Sequence, residues 1–413
     1  MLLDAAVAAP WARAECDARS IPVFDFSPDR GACGAFAFAA PRARAAAPPP
    51  REPATLATVA LVLHTSGTTN KPKLVPLTHG NLCAGAAAIG ETLALKPDDV
   101  CVNVMPLFHI HGLAVNVLAT LLAGAAVVCE RALDCGRFYE LVRGTSPPRV
   151  AASWYSAVPT LHFAVAAAGE PGGPLYAGAP LPRLAFARSC SAALPPSLSE
   201  RLEVALAPAK ALPTYAMTES MPIASARCPR RGPRGDGELA SVGFAAGPRV
   251  CVVGVDDDRC VAEGDVGEVC VAGACVTAGY ELRDWQAADP NVEAFVGGAR
   301  GHRTWLRTGD RGLLEPGGAR GPRLRLVGRS KEIVNRGGEK VSPLAVEDVL
   351  LRHAAVKEVA WMTASSAAAP NVEARVQSSM EACVPISRAP SRANTPGGRR
   401  NAPNARDAHR SVS

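Results

Sequence analysis

The sequence predicts a mixed α/β fold, with one large multi-layer domain that ends in a small β subdomain. Short apolar runs with the length of buried strands alternate with stretches of helical spacing from about residue 57 onwards. The apolar fraction of 48% and the charged fraction of 20% are compatible with a large hydrophobic core. A chain of 413 residues has room for two or three domains.

Composition divides the chain into four parts. Residues 1–55 are rich in Ala, Pro and Arg and predict a low-complexity leader. Residues 56–328 form the main α/β domain, and residues 329–362 the start of a truncated α+β domain. Apolar periodicity ends near residue 362, so residues 363–413 are predicted to be disordered.

The elements of the main domain follow from apolar runs and helical spacing. Predicted strands cover Val59–Leu63, Val100–Leu107, Ala125–Cys129, Val150–Trp154, Leu184–Ser189, Val250–Val255, Gly267–Ala272 and Leu324–Val327. Predicted helices cover Gly80–Leu93, Leu113–Leu122 and Leu194–Leu206. Thr78 is the expected N-cap of the first helix.

Bulk chemistry excludes several classes of function. The thirteen cysteines form no Cys-x-x-Cys pair, which argues against a disulfide framework or zinc site and favours a reducing, cytoplasmic compartment. No run of eighteen apolar residues indicates a membrane span, and the last three residues match no peroxisomal signal. Much of the net charge of +6 comes from arginines near the C-terminus, so no nucleic-acid partner is expected. The oligomeric state is not determined by these features.

A loop rich in hydroxyl groups follows the first predicted strand. It consists of Thr65, Ser66, Gly67, Thr68 and Thr69, and Lys73 follows it. Small residues let backbone N–H groups share one concavity, where hydroxyls and an ammonium add donors and charge, so the pattern predicts a polyphosphate cradle. Pro72 stands where a Walker A loop needs its second glycine, which disfavours that class. An ordinary polar turn between two strands is the alternative.

Two further strings lie at or near the ends of apolar stretches. In Met105–Gly112, His109 and His111 either line an acyl pocket or satisfy a buried turn. In the string Leu212–Glu219, Tyr215 offers a flat face to a purine, Thr218 a hydroxyl to a phosphate and Glu219 a carboxylate to Mg²⁺. A Thr-Glu pair by itself also fits a helix cap.

Two more strings lie near the end of the main domain. Asp310 follows Gly309 and has the chemistry to accept both hydroxyls of a ribose, although a simple Asx turn is the alternative. Further on, Gly337 and Gly338 would let the backbone approach a thin ligand closely, and Arg329 can bind a hydroxyl or a phosphate.

In this order, the five strings resemble those of the adenylate-forming superfamily of acyl-CoA synthetases, luciferases and adenylation domains, over residues 57–361. Within it, the chain is most similar to the oxalate–CoA ligase branch. The strings that support this are Pro106–Leu113, Trp154–Thr160, Arg188–Ala192, Tyr215–Glu219 and Asn335–Lys340.

The resemblance implies an adenylation domain and a two-step reaction. A short carboxylic acid, with oxalate as the candidate, reacts with ATP to give an acyl-adenylate, and CoA then displaces AMP. Ser66–Thr69 and Lys73 would hold the β- and γ-phosphates, Thr218 the α-phosphate and Glu219 the Mg²⁺ ion. Tyr215 would stack on adenine, and Asp310 and Arg329 would hold the ribose. The other implied roles are an acyl-pocket border at His109, Ser189, Ser191 and Ala192, a hinge at Lys331, and a pantetheine loop at Gly337 and Gly338.

The sequence departs from the family at three points. The loop at Ser66 lies close to the N-terminus, whereas family members have it well over a hundred residues into the chain. The family's late lysine, in a Pro-Lys-Thr-x-x-Gly-Lys context, has no counterpart. Pro222 replaces a histidine of the oxalate branch. The leading hypothesis is an ATP-dependent acid–CoA ligase, and the alternative is a catalytically impaired nucleotide-binding remnant.

Overall fold

The computed structural model describes residues 2–4, 10–18, 24–28, 36–38, 53–65, 73–145, 151–231, 241–254, 259–282, 288–296, 305–318, 321–329, 334–336, 339–341, 346, 349–350, 356–364 and 371–378. The chain divides into two compact units, residues 1–55 and residues 56–413.

The first unit contains regular structure that its composition did not predict. Its described elements are β1 (Leu2–Asp4), α1 (Pro10–Ala18), β2 (Phe24–Pro28) and β3 (Phe36–Phe38). β2 pairs in parallel with β1 and antiparallel with β3. Regular structure therefore occurs within the low-complexity composition of residues 1–55, and the leader stays a prediction. Phe24 and Phe26 in β2, like Phe36 and Phe38 in β3, recur at the two-residue period of a strand.

The second unit holds the remaining elements. Its strands are β4 (Val59–Thr65), β5 (Lys73–Thr78), β6 (Val100–Asn103), β7 (Ala126–Cys129), β8 (Trp154–Ala157), β9 (Phe186–Ser189), β10 (Lys210–Met217), β11 (Ser220–Ser225), β12 (Gly243–Ala245), β13 (Arg249–Val253), β14 (Gly267–Ala272), β15 (Phe295–Val296), β16 (Trp305–Glu315), β17 (Arg323–Arg329), β18 (Val334–Arg336), β19 (Glu339–Val341), β20 (Val356–Ala364) and β21 (Asn371–Ser378). Its helices are α2 (His79–Leu93), a π-helix (His111–Leu118), α3 (Ala119–Leu122), α4 (Cys135–Arg143), α5 (Pro159–Gly169), α6 (Pro196–Ala205), a 3₁₀ turn (Pro229–Arg231) and α7 (Asn291–Ala294). None of the described helices is both long and apolar enough to cross a membrane.

A large mixed sheet of twelve described strands organises this unit, which confirms the predicted α/β class. Along the sheet the order is β13-β14-β16-β17-β12-β11-β10-β9-β8-β6-β7, and β15 pairs with β16. β7, β6, β8, β9 and β10 run parallel, whereas the strands from β10 to β13 are antiparallel. The two strands predicted for the small β subdomain, at Val250–Val255 and Gly267–Ala272, lie in this antiparallel half as β13 and β14.

Apolar side chains cover both faces of the parallel half. Along β8, Trp154 belongs to one buried cluster and Tyr155 to the other, because successive strand residues point to opposite faces. The first cluster includes apolar residues of α2 and the π-helix. The second includes Phe138 of α4, Val165 of α5 and Leu198 of α6. The sheet is therefore packed between helical layers, as predicted.

Helix α2 begins at its predicted cap. The Thr78 hydroxyl accepts a hydrogen bond from the Asn81 N–H at 3.1 Å, and the Asn81 carboxamide accepts one from the Thr78 N–H at 3.0 Å. This reciprocal capping box satisfies two backbone donors that the first helical turn leaves without partners. The Asn81 amide also donates to the carbonyls of Ala274 and Val276, which ties the start of α2 to the loop after β14.

The predicted strand Val100–Leu107 is shorter in the structure, and the following helix is different. β6 ends at Asn103, whose carboxamide bonds to both the N–H and the C=O of Met105 and so replaces the sheet pairing there. The helix predicted at Leu113–Leu122 forms as the π-helix followed by α3. At Gly112 a Cβ atom would lie 2.4 Å from the Pro106 carbonyl oxygen, so only glycine allows this close approach.

One predicted boundary needs correction: β8 begins at Trp154, where the predicted strand Val150–Trp154 ends, and Ser156 and Ala157 complete it. Within the tail that is predicted to be disordered, residues 371–378 form β21 and pair with β20. Val372, Ala374 and Val376 alternate with polar residues, and this strand pattern lies within a polar composition.

Candidate functional site

The candidate site residues lie at one edge of the central sheet. β6, β8, β9 and β10 are mutually parallel, so their carboxyl ends share that edge. His111 follows β6, Ser191 follows β9 and Glu219 follows β10. In open α/β sheets, ligands bind in the crevice outside the carboxyl ends of the strands.

The predicted polyphosphate loop connects the two strands of a hairpin. β4 and β5 are antiparallel, and Thr65 is paired with Lys73 across the open end of the loop. Ser66, Gly67, Thr68 and Thr69 lie outside the described residues. β4 itself was expected to be buried but is largely exposed, since it pairs only with β5 in a separate two-stranded sheet. The Lys73 ammonium lies 4.3 Å from the ring centroid of Tyr280.

Glu219 is a buried carboxylate with a defined partner. Its exposed fraction is 5%, and its Oε1 accepts a hydrogen bond from the Tyr280 hydroxyl at 2.7 Å. Burial raises the pKa of Glu219, while the Tyr280 hydroxyl and the charge of Lys73 act in the opposite direction. Thr218 precedes Glu219 in the two-residue connection between β10 and β11 and is half-buried.

Asp310 joins two other candidate residues. The Tyr215 hydroxyl donates to Asp310 Oδ2 at 2.5 Å, and Arg329 Nε lies 3.5 Å from Asp310 Oδ1. Asp310 and Arg329 are opposite each other in the β16–β17 ladder. An ionised carboxylate only accepts hydrogen bonds, so both of these donors are matched to Asp310. Tyr215 is only 7% exposed, so little of its ring faces solvent.

The backbone around Asp310 is a bulge in β16, where sequence reasoning expected a turn. The ladder between β14 and β16 shifts register between Glu268 and Cys270, opposite Thr308 to Asp310. Gly309 has a φ of +76°, and the Thr308 hydroxyl accepts from the Asp310 N–H at 3.1 Å. Bulges redirect side chains in this way.

These residues form one cluster, the Glu219–Asp310 cluster, which consists of Lys73, Tyr215, Glu219, Tyr280, Asp310 and Arg329. The charge of Asp310 contributes to the raised pKa of Glu219, so the two carboxylates are electrostatically coupled. Tyr280 was missed by sequence reasoning, because it lies 61 residues after Glu219 in no recognised string.

The Glu219–Asp310 cluster was tested as a magnesium site. Magnesium is bound by one or two carboxylates together with substrate phosphates, and Glu219 supplies such a carboxylate close to the ammonium of Lys73. No group of three or more His, Cys, Asp or Glu side chains arranged to hold a metal occurs in the described part of the chain. The residues therefore fit an ion carried on phosphates more closely than a metal held by protein ligands alone.

The residues predicted to border the acyl pocket differ in burial: some are exposed and others are buried. His109 is exposed, and its Nδ1 accepts from the His111 N–H at 3.1 Å. Ser191 and Ala192 are exposed, whereas Ser189 is 1% exposed and its hydroxyl has no hydrogen-bond partner among the described residues. Ser191 has a φ of +73°, a left-handed conformation that is uncommon outside glycine and that occurs at strained functional positions.

A second cluster lies beneath this border: the His111–Arg188 cluster, formed by His111, Ser156, Arg188 and Ser191. His111 is fully buried, with Nε2 2.6 Å from the Ser156 hydroxyl and Nδ1 3.2 Å from the Ser191 hydroxyl. Burial, and then the charge of Arg188, hold the pKa of His111 well below its usual value. Sequence reasoning assigned no role to Ser156 or to Arg188 individually. The available signal was an arginine inside the apolar strand predicted at Leu184–Ser189.

Of the predicted site residues near the end of the main domain, one is described by the structure and three are not. Arg329 is described and lies in the Glu219–Asp310 cluster. Lys331, Gly337 and Gly338 lie outside the described residues, although β18 and β19 form a hairpin on either side of the two glycines.

The sequence pattern of the family described as AMP-binding enzyme matches residues 6–281. This chain belongs to the AMP-binding enzyme family. The match begins inside the first compact unit and includes α1, β2 and β3 of that unit.

Relatives of this AMP-binding enzyme are named as CoA ligases. The oxalate–CoA ligase of Arabidopsis thaliana is 39% identical over 303 residues, which cover 72% of this chain and 53% of that protein. The sulfoacetate–CoA ligase of Cupriavidus necator is 33% identical over 340 residues, or 82% of this chain and 60% of that protein. The chain thus spans about half the length of the curated relatives it matches.

Solved structures share the fold of this AMP-binding enzyme. ATP-bound MatB from Rhodopseudomonas palustris matches with a TM-score of 0.71 and 24% identity, over 93% of this chain and 69% of that protein. At this level of identity the similarity supports the fold.

Proposed function

We propose that this chain is the nucleotide-binding part of an ATP-dependent acid–CoA ligase. It would form an acyl-adenylate from a short carboxylic acid and ATP and transfer the acyl group to CoA. Oxalate is the candidate acid. The observation that carries the proposal is the Glu219–Asp310 cluster, in which residues that are far apart in the sequence, from Lys73 to Arg329, form one network of contacts.

Asp310 and Tyr215 would orient the adenosine. The Tyr215 hydroxyl fixes the Asp310 carboxylate, and a carboxylate is an acceptor group that suits the two hydroxyls of a ribose. Arg329, more than half exposed, balances the charge of Asp310, and its guanidinium would donate to a nucleotide oxygen. Stacking of adenine on the Tyr215 ring is part of the proposal.

Lys73 and Glu219 would act at the phosphates. The Lys73 ammonium lies over the Tyr280 ring, and the hydroxyl of the same tyrosine donates to Glu219, so one residue positions both charges. Ser66–Thr69 would add backbone and hydroxyl donors, and Thr218 would contact the α-phosphate. A bound Mg²⁺ ion would neutralise the charge that develops on the pyrophosphate leaving group.

The acyl pocket would lie between the two clusters, bordered by His109, Ser189, Ser191 and Ala192. Lys331 would act as the hinge between the half-reactions, and Gly337 with Gly338 would lie along the pantetheine of CoA. The names of two relatives, oxalate–CoA ligase and sulfoacetate–CoA ligase, support a short acid as the substrate.

A second candidate function is nucleotide binding without turnover. The late lysine of the family, which bridges the acid and the phosphate, has no counterpart in these 413 residues. This alternative retains the Glu219–Asp310 cluster and its AMP or ATP site and differs only in catalysis.

ATP–pyrophosphate exchange tests the proposal directly. The purified chain is incubated with Mg²⁺, ATP and labelled pyrophosphate in the presence of oxalate, malonate, sulfoacetate, acetate or longer acids. Exchange driven by at least one short acid is the expected result. If no acid drives exchange while calorimetry shows AMP binding, the binding-only alternative holds; if neither occurs, both fail.

A further inference from the structure

Arg188 is a buried cation without a carboxylate partner in the described structure. Its exposed fraction is 1%, and its Nη1 donates to the Ser156 hydroxyl at 3.3 Å. The guanidinium also interacts with the Cys190 thiol, but no Asp or Glu side chain contributes to its environment among the described residues. Its Nη2 has no hydrogen-bond partner among them.

This arrangement is energetically unfavourable unless an anion joins it. A buried charge is normally paired, and an arginine retains its charge in proteins. The neighbouring His111 has a pKa lowered by burial and by the charge of Arg188, and an imidazole in either form carries no negative charge to balance the guanidinium. The buried Nη2 therefore has an unmet hydrogen bond that a ligand with negative charge would satisfy.

A continuous chain of polar groups leads from the surface to this cation. Ser191 is exposed and contacts His111 Nδ1 at 3.2 Å, and His111 Nε2 contacts Ser156 at 2.6 Å. Ser156 in turn accepts from Arg188 at 3.3 Å. The carbonyl of Arg188 lies 3.2 Å from His162 Nε2, and the Tyr155 hydroxyl lies 2.8 Å from His162 Nδ1, which holds the strand in place.

From this geometry we infer that the His111–Arg188 cluster is an anion subsite. It binds the second anionic group, a carboxylate or a sulfonate, of a short acid whose first carboxylate is activated at the nucleotide site. This inference rests on the proposed function for the fate of the first carboxylate, but the binding of the acid does not require turnover. Arg188 supplies the charge, and His111 and Ser156 supply neutral hydrogen-bonding groups beside it.

Calorimetry on the full chain tests the subsite with matched acids. Oxalate and sulfoacetate carry a second anionic group, and acetate is the control that lacks it; each is titrated with and without saturating AMP. We expect oxalate or sulfoacetate to bind on the order of 30-fold more tightly than acetate, as one charge-assisted hydrogen bond predicts. Equal affinity for acetate, or no binding of any acid, overturns the inference.

Arg188→Met should remove this preference, because methionine fills the volume without the charge. The matched control is Arg201→Met, which removes an arginine whose guanidinium pairs with Glu170 at 2.8 Å on the partly exposed face of α6. Arg201→Met should keep the preference, and persistence of the preference in Arg188→Met contradicts the inference. Circular dichroism verifies folding, and Arg188→Gln replaces Arg188→Met if the latter does not fold. If neither variant folds, the inference is judged on whether the wild-type chain binds oxalate or sulfoacetate more tightly than acetate.

The outcomes separate this inference from the proposed function. Acid binding that depends on Arg188, without ATP–pyrophosphate exchange, supports the subsite and rejects the ligase activity. Exchange that is equally efficient with acetate and oxalate supports the ligase activity and rejects the subsite.

Discussion

The Glu219–Asp310 cluster and the His111–Arg188 cluster lie at the same edge of one sheet but differ in how their charges are balanced. In the former, both carboxylates have donors in the protein: Tyr280 for Glu219, and Tyr215 with Arg329 for Asp310. In the latter, the guanidinium of Arg188 contacts only a hydroxyl and a thiol among the residues that the structure describes. The first cluster is preorganised by its own residues, whereas the second depends on a ligand for charge balance.

The difference fits the proposal that the first cluster binds the nucleotide and the second discriminates between acids. Preorganised donors and acceptors cost little reorganisation when a nucleotide binds, which suits the common substrate of the family. An unpaired cation discriminates between ligands, because acids without a second charge leave it unpaired. Substitutions in each cluster should therefore have different signatures.

Glu219→Gln should give the largest loss. It removes the carboxylate proposed for Mg²⁺ but keeps a group of the same shape, so exchange should fall about 10²–10³-fold, as for the loss of one preorganised electrostatic group. Assays over a range of Mg²⁺ concentrations should show a higher requirement for the ion. Glu140→Gln, on the exposed side of α4, is the matched control and should have no effect. Wild-type exchange in Glu219→Gln would exclude the proposed role.

Asp310→Asn should weaken nucleotide binding by about 10- to 100-fold, since hydrogen bonds to a charged group are each worth about 1.5–3 kcal/mol. Calorimetry with AMP measures the change. Glu315→Gln lies in the same strand, where Glu315 pairs with Arg325 at 3.1 Å, and it should leave AMP affinity unchanged. Equal losses in both variants would indicate a general effect on β16.

Arg188→Met should stabilise the fold while it removes acid discrimination. Replacement of a buried charge by an apolar side chain of similar volume can stabilise a protein by about 1–4 kcal/mol. Denaturant unfolding should show this increase, whereas Arg201→Met, at a partly exposed ion pair, should change stability by at most about 1 kcal/mol. A marked loss of stability in Arg188→Met would mean that the arginine is a structural element.

Tyr280→Phe should have the smallest effect, on the pH dependence. Burial raises the pKa of Glu219, and the Tyr280 hydrogen bond lowers it, so removal of the hydroxyl raises it further. The carboxylate is then protonated at higher pH, and the acidic limb of the exchange profile moves upward. At neutral pH the loss should be about 2- to 10-fold, the effect of one hydrogen bond.

Tyr139→Phe is the control for this profile. Tyr139 also donates a buried hydrogen bond, to the Val165 carbonyl at 2.9 Å on the opposite face of the sheet. Its removal should leave the acidic limb in place. A shift of the limb to lower pH in Tyr280→Phe would contradict the assignment of Glu219.

The sequence allowed the fold class to be predicted because its signals are local. Thr78 caps α2 through a residue three positions later, and the strands predicted at Leu184–Ser189 and Gly267–Ala272 contain short apolar runs. The strings around Tyr215 and Asp310 were recognised as units, and the structure brings these two residues into contact. Assignment of their roles to a nucleotide is still a prediction.

The contacts that hold the side chains of the two clusters in place join residues that are far apart in the sequence, so they could not be predicted from local patterns. Tyr280 reaches Glu219 across 61 residues, and Ser156 reaches Arg188 across 32 residues through strand register. Register between distant strands depends on bulges such as the one beside Asp310, which no single-sequence pattern reveals. Buried arginines are also rare, so an arginine within an apolar run is ordinarily assigned to an exposed strand face.

The π-helix that begins at His111 has a consequence for how readily this pocket changes during evolution. Ala119 N–H bonds to the Ala114 carbonyl five residues earlier, so this stretch contains one residue more than an α-helix of the same hydrogen-bonding path. Deletion of one residue between Ala114 and Leu118 would restore α-helical spacing and rotate the preceding turn by about 100°. The imidazole of His111 would then leave Ser156 and Ser191. Loss of a single codon would therefore separate His111 from these hydroxyls while Arg188 stays beside Ser156, so the neutral groups and the charge of the proposed subsite can change independently.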